Sequence, residues 1–334
     1  MSRNVISFSQ KPKIISSASV VGGLENQGPL KEFFDLSSPD NKFGMDTWEK
    51  AEAELVRECA EIAVKKSGYK VSDIDLSFAG DLTNQCAAST FGMKDKEIPY
   101  IGLYGACSTF ALSLGLAALS VESGVGERAL AEASSHYCSA ERQYRFPLEY
   151  GCQRPPTAQN TVTGAGCVIL AKSEAYLPAV REFLPGIIRD LGICDANNMG
   201  AAMAPSCADT VLRYFRLTSK KPSDFDLILT GDLGFEGHEI FLRLCAEAGL
   251  DIRPNSSDCG KLIYDPQKQE VNCGGSGCGC SASVFCGYMM DKFRTGRLRD
   301  MLLIGTGALL NSTTVLQKET IPGISHLVRV SLEE

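Results

Sequence analysis

SGYKVSDIDLSFAGD, from Ser67 to Asp81, returns 151 residues later as TSKKPSDFDLILTGD, from Thr218 to Asp232. Seven of the fifteen positions are identical: Lys70, Ser72, Asp73, Asp75, Leu76, Gly80 and Asp81 match Lys221, Ser223, Asp224, Asp226, Leu227, Gly231 and Asp232. A self-match of that spacing marks an internal duplication. Each copy follows a stretch whose apolar residues recur at helical spacing, TWEKAEAELVRECAEIAVKK in one case and APSCADTVLRYFRLT in the other.

The echo extends in both directions. Cys107-Ser108 opens an uncharged helix, and Cys280-Ser281 opens another through VFCGYMM. Each is followed by a charged turn and a strand (RALAEASS, DMLLIGTGAL), and a further strand (GCVILAK, HLVRVSL) closes each half. First strands, IISSASVV and VREFLPGII, precede both. Alternating helices and strands predict mixed sheets with helices on their faces. A helix that is apolar all round must be covered on both sides. The expected fold is therefore α/β with five layers, αβαβα: two mixed sheets around two buried central helices. The halves are residues 1–173 and 174–334, divided around AKSEAYLP.

Composition narrows the function. The net charge of −7 and the absence of a basic run argue against nucleic acid as a partner. MSRNVISFSQKPKIISS lacks the apolar core of a signal peptide. With no such signal, the fourteen cysteines read as reduced thiols of an intracellular protein. Cys273, Cys278, Cys280 and Cys286 do not pair into two CxxC knuckles, so small buried residues are expected there and no metal site. The uncharged stretches Ile98 to Val121 and Val271 to Met290 have the length of membrane spans, but glycine clusters interrupt both. Buried strand–turn–helix units explain them better. Gly274, Gly275, Gly277 and Gly279 either form an anion nest or let helices pack closely. No P-loop lysine and no strand–GxGxxG–helix pattern accompanies them, so no nucleotide cofactor is expected, and no other cofactor.

Cys107, in LYGACSTFALSLGLAAL, falls at or near the first turn of an uncharged helix. Unpaired N–H groups and the helix dipole there favour a thiolate. The thiol is a nucleophile, part of a pocket for anions, or a small core residue.

A duplicated α/β chain with a Gly-Ala-Cys-Ser turn into a central helix resembles the thiolase superfamily, including the ketoacyl-carrier-protein synthases. TAQNTVTGAGCVIL resembles the glycine-bearing segment before the last strand of the first half in those enzymes. The strings FAGDLTNQ, YGACSTF, SSHYCSAERQYRFPLEYG, NNMGAAMAP, LILTGDLG, GGSGCGCSA and GTGALLN resemble, within that superfamily, the stage V sporulation protein AD family. The resemblance spans about Asp35 to Ile324. It implies a protein of sporulating cells that binds dipicolinic acid (pyridine-2,6-dicarboxylate), free or as its calcium chelate, and serves its delivery into the developing spore. It further implies membrane-embedded partners from the same operon, peripheral placement at the spore inner membrane through them, and a homodimer.

Cys107 matches the thiolase nucleophile, but its acid/base company is missing. Gly231-Asp232 stands where the synthases carry a His, Gly279-Cys280 where a Gly-His-Pro string would fall, and Leu303 where the second thiolase Cys would be. Acyl transfer through a thioester needs such groups. Binding without catalysis is therefore the expectation; an acyl-transfer enzyme using Cys107 is the alternative.

Of the three histidines, His136 follows RALAEASS, whose C-terminal end should face the cleft beside Cys107. His238 opens a helix about six residues past the synthase position, and His326 lies in or beside the last strand. A dicarboxylate needs cationic or N–H donors. Arg142 and Arg145 are the basic residues nearest His136 in sequence, with an exposed pair as the competing reading. Asp195, Asn197, Asn198 and Met199 form a polar loop expected to border the cleft, with Asp195 as a partner for His136 or for a ligand donor. An acid beside a dianion is unfavourable unless it is protonated, paired or bridged by calcium. The expected ligand set is thus Cys107, His136, Arg142, Arg145, Asp195 and Met199.

Overall fold

In the computed structural model, which describes residues 4–144 and 154–332, the two copies each build a five-stranded sheet, and the two join, with the short strands Ile6–Ser7 and Leu36–Ser37 paired beside them, in one twelve-stranded ladder. The first contains β1 (Lys13–Val21), β2 (Leu76–Gly80), β3 (Tyr100–Gly102), β4 (Arg128–Ser135) and β5 (Gly164–Ala171). The second contains β6 (Ala179–Leu184), β7 (Leu227–Thr230), β8 (Ser256–Asp258), β9 (Asp300–Ala308) and β10 (Gly323–Ser331). The spatial orders are β1-β5-β4-β2-β3 and β6-β10-β9-β7-β8, the same path in each half. Orientation repeats as well. β1/β5 and β5/β4 are antiparallel, β4/β2 and β2/β3 parallel, and the second half matches pair for pair. Along the seam, β1 and β6 meet antiparallel at Lys13 and Ala179, so one hydrogen-bonded ladder runs across both sheets. β6 stops at Leu184, ahead of Pro185, shorter than the run VREFLPGII suggested.

Strand alternation assigns the layers. In β4, Ala129 and Ala131 face a central core while Leu130 faces an outer one; in β5, Val168 and Leu170 oppose Cys167 and Ile169. In β9, Met301 and Leu303 point to the same central core, whereas Leu302 and Ile304 point to the other outer core. Such period-two division places apolar contacts on both faces of each sheet. Helix α1 (Trp48–Ser67) covers the first outer face through Leu55, Val56, Cys59 and Ala63. Helix α3 (Met199–Thr218), backed by α4 (Gly234–Glu247), covers the second through Met203, Cys207, Val211 and Phe241.

Between the sheets lie α2 (Thr109–Ser123) and α5 (Cys278–Val284), the latter continuing through a π-helical turn, Phe285–Met289, to Arg294. The helical stretch Ala106–Ser123 is long and apolar enough to cross a membrane, and it is mostly buried between the sheets. Each central helix also crosses onto the other half's sheet. A Cβ built on Gly115 of α2 would overlap the Phe183 ring of β6. One built on Gly166 of β5 would overlap the Ala282 carbonyl of α5. The two halves interlock at these glycines.

The sequence pairing of Cys107 with Cys280 shifts by four residues. Gly277, at φ +98°, is the N-cap of α5 as Ser108 is the N-cap of α2, so the structural counterpart of Cys107 is Ser276. Likewise the expected polar loop at Met199 ends a residue sooner: Asn198 caps α3 by accepting the Ala201 N–H at 3.3 Å, and Met199 is its first residue.

Replacing Gly166 by Ala is expected to lower unfolding stability by about 1–3 kcal/mol, the cost of overpacking a tight helix–sheet contact. Urea denaturation checks this; an unchanged midpoint would mean that α5 does not rest on β5.

Candidate functional site

Cys107 sits in a tight turn in which Ala106 adopts φ +50°, a left-handed conformation costly for a residue with a Cβ. The turn delivers the thiol to the place where α2 and α5 begin. There Sγ lies 3.9 Å from Ser276 Oγ, the hydroxyl that donates to the Asp232 carboxylate, so the carboxylate adjoins the thiol through Ser276. Asp232 follows β7 and is fully buried. Its Oδ2 accepts from Ser276 Oγ at 3.1 Å and from the Gly277 N–H at 2.8 Å; its Oδ1 accepts from Thr306 Oγ1 at 2.7 Å. The first half thus supplies the thiol, and the second supplies the carboxyl and its donors.

The electrostatics correct the expectation of a thiolate. Burial, and then the Asp232 carboxylate, push the Cys107 thiol well above the ordinary cysteine range. Asp232 is itself raised to about 6 by burial, against the opposing pull of its hydrogen bonds. Position at a helix start is outweighed by burial and the adjoining acid, so Cys107 is a neutral thiol near pH 7.

The other residues expected at this site have the following partners. His136 is fully buried; its Nδ1 accepts the Cys138 N–H at 3.2 Å, so Nε2–H donates to the Asn41 carbonyl at 2.8 Å. Its ring packs 5.6 Å from Trp48, and burial lowers its pKa. Arg142 is half exposed and pairs with Glu49 at 3.1 Å. Arg145 lies outside the described residues. Asp195 closes a local turn by accepting the Asn197 N–H at 2.9 Å, while Met199 packs on the outer core of the second sheet. His238 bonds Ser256 Oγ and accepts from Lys261; burial first, then Lys261, lowers it to about 4. His326 accepts from the Gly186 N–H and is lowered to about 4 by burial.

Sequence reasoning missed three members of the site, Asp232 as a thiol partner, Ser276 and Thr306, and one neighbouring cation. Asp232 was visible in the duplication, because it matches Asp81. Asp81 only closes a local turn, accepting the Thr83 N–H at 2.8 Å and the Ser89 N–H at 2.7 Å. The cation is Arg154, whose guanidinium bonds the Gln159 carbonyl, Asn160 Oδ1 (3.2 Å) and Glu141 (3.4 Å). Asn160–Thr161 pairs in parallel with Gly275–Ser276, and Gln159 Nε2 donates to the Asp232 carbonyl at 2.6 Å, tying Arg154 to the strand bearing Ser276.

Two interlocked halves with a cysteine where the central helices begin define a thiolase-like fold. Among solved structures, 3-oxoacyl-[acyl-carrier-protein] synthase III from Aquifex aeolicus matches with TM-score 0.59 at 12% identity, over 96% of this chain and 99% of that one. OleA of Xanthomonas campestris with cerulenin bound matches with TM-score 0.59 at 13% identity, over 98% of both chains. A profile of the stage V sporulation protein AD family matches residues 2–331. Stage V sporulation protein AD of Bacillus subtilis (strain 168) is 40% identical over 318 residues, 95% of this chain and 94% of that protein. The chain belongs to the stage V sporulation protein AD family.

Two outcomes follow from these charges. Iodoacetamide near neutral pH should label exposed Cys194 well before Cys107, and Asp232→Asn should speed labelling of Cys107; peptide mass spectrometry reads both. Glu52, raised by burial to about 8, and Glu25 and Asp258, raised by burial to about 7, hold protons in the folded state that the unfolded chain has already released at those pH values. Stability should therefore fall as pH rises from about 6.5 to 8, above the range in which the lowered histidines act in the opposite sense. Melting temperatures that climb over that interval would contradict these assignments.

Proposed function

We propose that this chain is a binding protein on an enzyme scaffold. It holds dipicolinic acid, free or as its calcium chelate, beside Cys107, and serves uptake of that diacid into the developing spore. The observation that carries the loss of chemistry is Asp232. Burial, reinforced by this nearby carboxylate, holds the Cys107 pKa well above the ordinary cysteine range, and a protonated thiol is a poor nucleophile. The three histidines each bond other groups, His136 the Asn41 carbonyl, His238 Ser256 and His326 the Gly186 N–H. Family membership supplies the setting of sporulation. The diacid itself is carried by the family resemblance, and Arg154 is the cation this reading assigns to a carboxylate. Partnership with membrane-embedded products of the same operon, peripheral placement at the spore inner membrane and pairing with a second copy belong to the same proposal.

A second reading, acyl transfer, is favoured by one observation: the left-handed turn at Ala106 presents Cys107 at a helix start as a nucleophile would be presented. Two measurements separate the readings. Titration calorimetry with dipicolinate should give saturable heat that Arg154→Ala weakens at least several-fold. Intact-mass spectrometry after incubation with acyl-coenzyme A should leave the protein unmodified. No heat at millimolar ligand would end the first reading, and an acyl adduct lost in Cys107→Ala would establish the second.

A further inference from the structure

We propose that the cavity at the far end of α5 is a second ligand site, for an elongated amphipathic carboxylate whose head pairs with Arg299 and whose apolar body lies along the start of β1. The cavity has a volume of about 740 Å³, within the range of small-molecule sites. α5 and its continuation run from Cys278, near the thiol, to Arg294, which lines the cavity. That length of helix spans about 24 Å, so the cavity is distinct from the Cys107 cluster. The proposal stands whether or not a diacid is held beside Cys107.

Both halves build it. β1 and the turn at Phe33 contribute from the first, while residues 176–178, the end of α5 and Arg299 contribute from the second. Each side carries a departure from regular structure. The ladder of β1 with β5 shifts between Ile14 and Ser16, a bulge that leaves Ile15 out of register. In α5 the departure is the π-helical turn Phe285–Met289, where the Cys286 carbonyl accepts from Ser17 Oγ at 3.0 Å. Gly287 in that turn lets the Phe33 segment approach, since a Cβ there would lie 2.8 Å from the Phe33 carbonyl oxygen. Bulges and π-turns are over-represented at functional sites. Here they leave apolar surface that core packing does not cover: Ile15, Phe33, Leu177 and Met290 line the cavity and are only half buried. Met290 adds a wall that adapts to a chain of varied shape.

Charge gives the ligand its class and its direction. The charged residues lining the cavity are Glu32, Asp35, Lys66, Asp291, Arg294 and Arg299. Lys66 is paired with Asp35 at 2.9 Å, and Arg294 with Asp291, which Arg297 also holds at 2.5 Å. Arg299 makes no ion pair among the described residues; its guanidinium meets the Tyr176 hydroxyl at 3.5 Å. The Asp226 carboxylate accepts the Arg299 backbone N–H at 2.8 Å and so fixes the stem of that side chain. Because the Tyr176 oxygen accepts from Arg299, its own proton is left for a ligand oxygen, and the two groups together grip one carboxylate. The acids stand toward the other end. Asp35 accepts the Ser19 N–H, whereas the Pro178 carbonyl, beside Tyr176, accepts the Ile14 N–H. Those two points are about 17 Å apart along β1. A carboxylate is repelled where Glu32 and Asp35 lie and held at Arg299, with its tail directed toward Phe33 and Met290.

The test is calorimetric titration of the full chain with sodium dodecanoate, kept below its micelle concentration, at about pH 8. Saturable binding of about one molecule per chain is expected, weakened about tenfold by Arg299→Ala through loss of a charge-assisted contact. The melting temperature without ligand should not change, because that side chain is exposed. Leu177→Glu, which sets an acid on the apolar wall, should weaken binding comparably, and Cys107→Ala should leave it unaltered. Dodecyltrimethylammonium, with the same tail and the opposite charge, should bind at least about tenfold more weakly. No binding of dodecanoate, undiminished binding to Arg299→Ala, or equal binding of the cationic amphiphile would overturn the proposal. Loss of binding in Cys107→Ala would move the ligand to the other end of α5 and overturn it too. So would association with phosphatidylglycerol vesicles without binding of free dodecanoate, which would mark a membrane-facing surface instead. If Arg299→Ala fails to fold, Leu177→Glu and the cationic amphiphile decide. Absence of dipicolinate binding would end only the earlier reading and leave this one intact.

Discussion

A helix that is apolar on every side has no face to offer the solvent, and α2, charged only at Glu122 in its last turn, and α5 are both of that kind. Satisfying them requires a sheet on each side, and each half has only one sheet to give. The duplication answers this constraint. Each half lends its central helix to the shared interior and receives the other's in return. Because the two helices enter the interior from equivalent ends of equivalent halves, their first turns meet. The Cys107 cluster lies at that meeting place, so its position follows from how the core is covered.

The same duplicated Asp has been put to two uses. Asp81, at the end of β2, folds back onto Thr83 and Ser89 and stabilises only its own turn. Asp232, just past the end of β7, reaches across to the start of α5, bonding the Gly277 N–H and Ser276, whose hydroxyl lies 3.9 Å from the thiol of the other half. Both are buried and both are raised by burial, so both are held at a cost. The difference lies in the partners. Where Asp81 finds hydroxyl and amide groups of its own loop, Asp232 finds those at the start of α5 and in β9, which puts its charge near Cys107.

Much of this architecture was legible because periodicity and repetition are local signals. The strands around Leu76, Leu227, Ala131 and Leu303, the helix over Trp48–Ser67 and the buried nature of Thr109–Ser123 all follow from spacing and charge. The site was less legible, because its members are brought together by the interlock. Nothing adjacent in sequence links Cys107 to Ser276 or Thr306. The shift from Cys280 to Ser276 turns on Gly277's positive φ, which the run of glycines in GGSGCGC leaves ambiguous. His136 was placed by topology at the right strand end, yet its two nitrogens are claimed by Cys138 and Asn41, contacts that no motif announces. Asp195 and Met199 were assigned by composition, and the N-cap at Asn198 sends Met199 to the outer face instead.

The contacts of Gly115 with Phe183 and of Gly166 with Ala282 join residues far apart in the chain and on opposite sides of the repeat boundary. A side chain gained at either glycine would have to be accommodated by its partner in the other copy. The two repeats are therefore not free to drift as separate genes would. Any added bulk at Gly115 has to be absorbed by the Phe183 ring and any at Gly166 by the backbone at Ala282, each in the other half.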